Sequence, residues 1–238
     1  MTTSSPTTKT RSQAAPALAL TAALLATCFA VLTHDVVDHS GLTVIDPEIA
    51  ARAIDLRTQV LTALAHFVSA IGDTLSMSIL AAVVCLGLLR AGDRAHATLV
   101  AVAGLGAAVI VLGGKRVIGR ERPPVIDRLA TEHTLSYPSG HSVGSCVVIG
   151  ICAVVLIPKL HRQAARIVTA ALAVLFVVAV GCSRVYLGVH WATDVLGAWC
   201  ISLAWISLCL AVFHYRRRTL ADTADAAATD TDTRTPGE

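Results

Sequence analysis

His190 and Asp194 stand four residues apart in the stretch SRVYLGVHWATD, residues 183–194. On a helix that spacing puts both side chains on one face. A carboxylate bonded to one imidazole nitrogen sets the tautomer and leaves the other nitrogen with a free lone pair. Such a histidine can act as a nucleophile. A lone histidine near the end of an apolar run is more often structural, so the pairing gains meaning from its surroundings. Arg184 lies in the same stretch, and a second histidine, His141, closes the turn YPSGH at 137–141. A third polar island, KRVIGRERP at 115–123, contributes Lys115 and Arg122.

Two histidines and an aspartate could ligate zinc. Lys115, Arg122 and Arg184 beside them would repel a divalent ion, and they suit the equatorial oxygens of a transferring phosphoryl group. Each cation alone is more often a snorkelling anchor at a helix end. Left unpaired in hydrocarbon, it would cost at least ~2.5–3.5 kcal/mol, so the group is expected to gather around water or an anion. Ser139 and Gly140 precede a helix expected from His141, where free N–H groups and the helix dipole favour an anion. Gly140 has no side chain to block close approach. Ser139 can also be a plain helix cap, a role compatible with phosphate binding. No metal and no cofactor is expected.

The elements that must carry these islands follow from composition. Of 238 residues, 55% are hydrophobic and 15% charged, and mean hydropathy is +0.69. A soluble domain cannot cover its surface with so little charge, whereas a lipid-facing one has no such need. The net charge of +3 is too small to suggest nucleic acid. A bilayer core needs about 20 apolar residues in a helix. Stretches near 16–33, 74–90, 97–114, 142–158, 167–182 and 195–214 qualify, some only just. The expected fold is therefore all-α, a polytopic membrane protein of six transmembrane helices. Residues 58–72 are apolar but short, and only Asp73 separates them from the second span; they are expected to form an additional interfacial helix. The first run is read as a retained anchor, since a leader would not explain the spans that follow.

The division expected is a flexible cytoplasmic tail at 1–15, a six-span domain at 16–218 and a second flexible cytoplasmic tail at 219–238, because neither tail can bury enough apolar surface to order itself. The seven cysteines form no C-x-x-C pair and are expected to be small buried hydrophobes. Lys and Arg divide almost evenly between the two faces, and Asp35, Asp38, Asp46, Glu48, Asp55, Glu121, Asp127 and Glu132 accumulate on one. That face is placed outside, with both termini in the cytoplasm. The three polar islands share it.

Lys115 with Arg122 and Pro123, then Pro138 to His141, then Ser183, Arg184, His190 and Asp194 match the pattern K-x6-R-P, P-S-G-H, S-R-x5-H-x3-D. The sequence resembles the type 2 phosphatidic acid phosphatase (PAP2) family, within the superfamily of vanadium haloperoxidases and bacterial acid phosphatases. The resemblance implies that His190 forms a phosphohistidine, that Asp194 orients it, and that His141 protonates the leaving oxygen and then activates water. It implies that Lys115, Arg122, Ser139, Gly140 and Arg184 bind phosphate without a metal.

The expected activity is a metal-independent lipid phosphatase of a bacterial cell membrane, acting at the outer face on phosphatidic acid, phosphatidylglycerophosphate or a polyprenyl diphosphate. Its partners are the lipid phosphate and membrane lipids; no obligate protein partner is evident. Other readings are an undecaprenyl-diphosphatase specifically, a vanadate-dependent peroxidase, or a non-enzymatic lipid-phosphate binder or transporter. The histidine–aspartate set argues against the last, since binding alone needs no nucleophile.

Overall fold

A helix that is apolar all round has no polar face to offer water and must lie in a core or in lipid. The computed structural model of the chain describes residues 6–232, with side chains from 14 to 223. Among the described residues there are eight α-helices: α1 (Pro6–Asp38), α2 (Asp46–Asp55), α3 (Gln59–Ile71), α4 (Thr74–Arg90), α5 (Arg94–Ile118), α6 (Gly140–Leu156), α7 (Gln163–Tyr186) and α8 (Ala192–Asp232). Five of them are long and apolar enough to cross a membrane, and α3 with α4, bent by 44° at their junction, reaches that length only as a pair. Five of the six expected spans are each carried by one helix, whereas the one expected at 74–90 is long enough only together with α3. Their ends run further than hydropathy suggested, because helices continue through the polar residues flanking each apolar run.

The break between α3 and α4 has a local cause. Thr58 caps α3 by accepting from Leu61 N at 3.2 Å. Asp73 caps α4 by accepting from Leu75 N at 3.1 Å, which starts a new helix where the old one stops. The short 58–72 segment is therefore a helix leading into span two, packed on α7. Helix α2 has no counterpart among the expected elements, because ten residues of mixed polarity give no transmembrane signal.

Helix α6 is the centre of the bundle, packed against α4, α5, α7 and α8. Val143, Val147 and Ile151 on it are fully buried, with Val100 and Ala103 of α5 and Ala198 of α8. Helix α1 lies along α8. Of the cysteines, Cys146, Cys152 and Cys209 are buried, whereas Cys28 and Cys182 are exposed on the outside of the bundle. The expectation of burial is corrected for those two: a weakly polar thiol is at ease against lipid. The described parts of both tails, 6–15 and 219–232, continue α1 and α8 as helix; residues 1–5 and 233–238 lie outside the described residues.

Two glycines let chain segments meet at the polar end. Gly197 of α8 stands where the Tyr137 ring occupies the place of a Cβ. That ring is fully buried, stacks on Phe29 at 5.8 Å and bonds Thr33 Oγ1 through its hydroxyl at 3.0 Å. Helices α1 and α8 thus clasp the residue preceding Pro138. Gly197→Val is expected to overpack this contact at a cost of about 1–3 kcal/mol. The check is the thermal midpoint in detergent together with turnover, both lowered because the ring and the following turn must move as one; an unchanged midpoint would show that the ring has room elsewhere. Gly188, at φ +70°, holds the second site. Its missing Cβ makes space for Asp127 O and the Arg57 guanidinium.

Candidate active site

The first turn of α6, the last turns of α5 and α7, and the first turn of α8 meet at one end of the bundle. The three polar islands come together there. His190 lies two residues before α8, so the expectation that it shares a helix with Asp194 is corrected. Its backbone is fixed by Val189 N and His190 N, which donate to Arg184 O at 3.2 and 3.3 Å. The four-residue spacing still pairs the two groups, because α8 starts in time to turn Asp194 back: His190 Nδ1 is 3.2 Å from Asp194 Oδ2.

Asp194 is wholly buried and its carboxylate accepts from several donors. Trp191 N reaches Oδ2 at 2.9 Å, the Ser136 hydroxyl donates to the same oxygen, and Arg120 Nη1 reaches Oδ1 at 2.6 Å. With acceptors only on the Asp194 side, the network assigns the proton of His190 to Nδ1. The other nitrogen, Nε2, accepts from Arg122 Nη1 at 3.1 Å. The lone pair therefore points at a guanidinium, the group that would hold a phosphate oxygen. Burial lowers the imidazole to about 4, Arg122 and Arg184 adding to the effect and Asp194 opposing it. His190 is neutral at neutral pH, as a nucleophile must be.

The cations are not loose anchors. Arg122 is held by Thr134 O at 2.6 Å and Val189 O at 2.6 Å. Arg184 donates to Ser69 Oγ at 2.5 Å. Lys115 Nζ donates to Thr134 Oγ1 at 2.7 Å, and Arg122 Nη2 donates to the same hydroxyl at 3.2 Å. Glu132 bridges the two arginines, meeting Arg122 Nη2 at 3.3 Å and Arg184 Nη2 through its other oxygen. Burial alone would raise the Glu132 carboxyl, but Arg184 and Arg122 hold it below the usual carboxylate range. A carboxylate thus sits between the two guanidiniums, where an oxyanion is the natural occupant.

Ser139 is buried and is the N-cap residue of α6, yet its side chain makes no capping bond. Its hydroxyl accepts from Ser142 Oγ at 3.0 Å instead, so the plain-cap reading is not what the side chain does. The N–H groups of the first turn, from Gly140 on, have no acceptor within the helix. Gly140 faces only Val111 at 3.4 Å from an added Cβ. His141 follows on this turn, its Nε2 3.2 Å from Asp73 Oδ1.

All eight expected site residues are therefore at one end of the bundle, with Thr134 shared by Lys115 and Arg122, Glu132 by Arg122 and Arg184, and Ser136 by His190 and Asp194. Several companions escaped the sequence reading: Ser69, Asp73, Glu132, Thr134 and Ser136, besides Arg120 and Asp46. Arg120 was in view inside the island at 115–123. Asp46 and Glu132 entered only as part of a charge tally, and the serines and threonines carried no spacing signal at all.

Residues 94–218 match the family model described as the PAP2 superfamily. Phosphatidylglycerophosphatase B of Bacillus subtilis (strain 168) is 36% identical over 107 residues, 40% of this chain; the matched stretch spans about half, 51%, of that relative's length. The crystal structure of a transmembrane PAP2-type phosphatidylglycerolphosphate phosphatase from Bacillus subtilis superposes with a TM-score of 0.74 at 25% identity, covering 80% of this chain and 94% of that one. The Aquifex aeolicus LpxE structure shares the fold, with a TM-score of 0.56 at 19% identity over 70% of this chain and 94% of that one. With several long apolar helices and all three polar islands inside the matched region, this chain is an integral membrane protein and belongs to the PAP2 superfamily.

Proposed function

We propose that the chain is a metal-independent lipid phosphatase of a bacterial cell membrane that works through a phosphohistidine at His190. The observation that carries this reading is the buried His190. Its Nδ1 is fixed by Asp194 and its Nε2 is turned toward Arg122. In the first step Nε2 attacks phosphorus while Lys115, Arg122, Arg184 and the α6 N-terminus take up the negative charge of the phosphoryl oxygens. His141, oriented by Asp73, gives a proton to the departing alcohol or phosphate oxygen. In the second step it takes a proton from water, which attacks phosphorus and releases His190.

The substrate class proposed is a lipid phosphate monoester or diphosphate, including phosphatidic acid, phosphatidylglycerophosphate and polyprenyl diphosphates. A site at the end of a transmembrane bundle suits a headgroup whose chains stay in the bilayer. The similarity to phosphatidylglycerophosphatase B favours the glycerophosphate member of that class. The acidic residues at the site's end support an outer-face location. The test is inorganic phosphate release from a panel of these lipids in detergent micelles, with and without EDTA. Release from at least one, unchanged by EDTA, is the expected result. Absence of release from all of them by folded protein would overturn the reading, and chelator inhibition reversed by one divalent ion would replace it with a metal mechanism.

The acid limb of kcat/KM follows from His190. A histidine whose folded pKa is about 4, below the ordinary ~6.5, keeps its lone pair until the pH falls through the lower value. Activity is therefore expected to hold down to well below pH 6.5. The profile must be corrected for the second ionisation of a phosphate monoester, near ~6. An enzyme-borne limb at 6.5 or above would assign the nucleophile to another group.

A further inference from the structure

Behind Asp194 lies a buried charge relay that the phosphate chemistry does not use. Arg120 follows α5, and its guanidinium forks: Nη1 reaches Asp194 Oδ1 at 2.6 Å and Thr193 Oγ1 at 2.7 Å, while Nη2 reaches Asp46 Oδ2 at 2.7 Å. Asp46 opens α2 and also accepts from Thr193 N at 3.0 Å and Thr193 Oγ1 at 2.5 Å. Side-chain exposures of 9% for Arg120, 2% for Asp46 and 0% for Asp194 show that water screens little of this. The Arg120 guanidinium also lies 5.7 Å from the Trp191 ring centre, so its plane is supported from one side.

We propose that Arg120 and Asp46 are positioning residues for the His190–Asp194 pair, an inference that rests on the phosphohistidine reading above. Arg120 does not reach His190. It holds Asp194 Oδ1, so that Oδ2 stays aimed at His190 Nδ1. Asp46 holds the far side of the guanidinium and offsets its charge, and Thr193 locks both to the first turn of α8. Two carboxylates share one cation, leaving one net negative charge behind the imidazole. Without Arg120, two buried carboxylates would lose the cation they share; without Asp46, Arg120 would be paired with Asp194 alone. The relay thus ties α2, α5 and α8 to the orientation of the nucleophile.

The test uses the full chain in detergent with the lipid phosphate that the panel identifies. Arg120→Gln is expected to lower kcat on the order of 10–100-fold, the range for partners that orient a reacting ligand. KM and inhibition by inorganic vanadate, a phosphate analogue, are expected to change little, because the phosphate-binding cations are untouched. The pH profile separates positioning from general damage. His190 is faced by Asp194 of α8, Arg122 and Glu132 of the connecting chain and Arg184 of α7, with Lys115 of α5, His141 of α6 and Asp73 close by. These stay constant. Removing the Arg120 cation leaves Asp194 less neutralised, so His190 holds its proton more tightly and the acid limb moves to higher pH. Asp46→Asn leaves Arg120 less neutralised and moves the limb the other way.

Arg120→Lys keeps the charge without the fork, so it is expected to restore the limb while kcat stays reduced. In a double-mutant cycle, Asp46→Asn should add little loss once Arg120 is glutamine. Wild-type kcat in Arg120→Gln, or limbs unmoved or moved in the same direction by Arg120→Gln and Asp46→Asn, would overturn the proposal. Should Arg120→Gln fail to fold, Arg120→Lys and Asp46→Asn carry the same test. His190→Ala serves as the reference: if it retains turnover, the phosphohistidine reading falls, whereas if it alone loses turnover, only the relay falls.

Discussion

His190→Ala is expected to lower lipid-phosphate turnover by about 10⁶-fold, the scale seen when a covalent nucleophile is removed from an otherwise intact site. The variant is expected to fold. Asp194 keeps its bonds from Arg120 Nη1, Trp191 N and the Ser136 hydroxyl, so no buried carboxylate is stranded. Arg122 keeps Val189 O and Thr134 O. The variant therefore separates chemistry from binding: vanadate should still be held by Lys115, Arg122, Arg184 and the α6 N-terminus. A second readout is direct. Quenched wild-type protein should carry an acid-labile phosphoryl group absent from His190→Ala. Turnover within tenfold of wild type would exclude His190 as the attacking group.

Asp194→Asn has the second largest expected effect, a fall in kcat of about 10⁴-fold, comparable to the loss when the carboxylate that orients a catalytic histidine becomes an amide. The geometry gives the reason. Every group facing this carboxylate is a donor: Arg120 on Oδ1, and Trp191 N, the Ser136 hydroxyl and His190 Nδ1 on Oδ2. An amide has one acceptor oxygen and one donor nitrogen. If the NH₂ replaces Oδ2, it meets Trp191 N–H and forces the His190 proton from Nδ1 to Nε2, which removes the attacking lone pair and sets two donors against each other at Arg122. If it replaces Oδ1, it opposes the Arg120 guanidinium. Either orientation leaves a buried donor unsatisfied, at about 1–3 kcal/mol, so a lower thermal midpoint should accompany the kinetic loss. Kinetics near wild type would show that Asp194 supports the fold and not the histidine.

How much of this was legible beforehand depends on the kind of signal. The spans at 97–114, 142–158 and 195–214 could be read because lipid demands an unbroken apolar run, and such a run is written in the chain. Lys115, Arg122, Ser139, Gly140, His141, Arg184, His190 and Asp194 were legible as candidates because their residue types and spacings match the pattern of the PAP2 family. Helix α2 was not: ten residues of mixed polarity gave no transmembrane signal, and its existence depends on packing against the helices around it.

What the sequence by itself determined is therefore the local part: the apolar runs, three polar islands and the residues proposed to hold and attack a phosphate. Only the tertiary structure decided which groups hold those residues in place. Asp46 is separated by 147 positions from Thr193, Ser69 by 115 from Arg184, and Arg120 by 74 from both Asp46 and Asp194. No periodicity links positions so far apart. Their pairing arises when the helices pack and the polar groups carried out of water at one end of the bundle find the partners that burial requires.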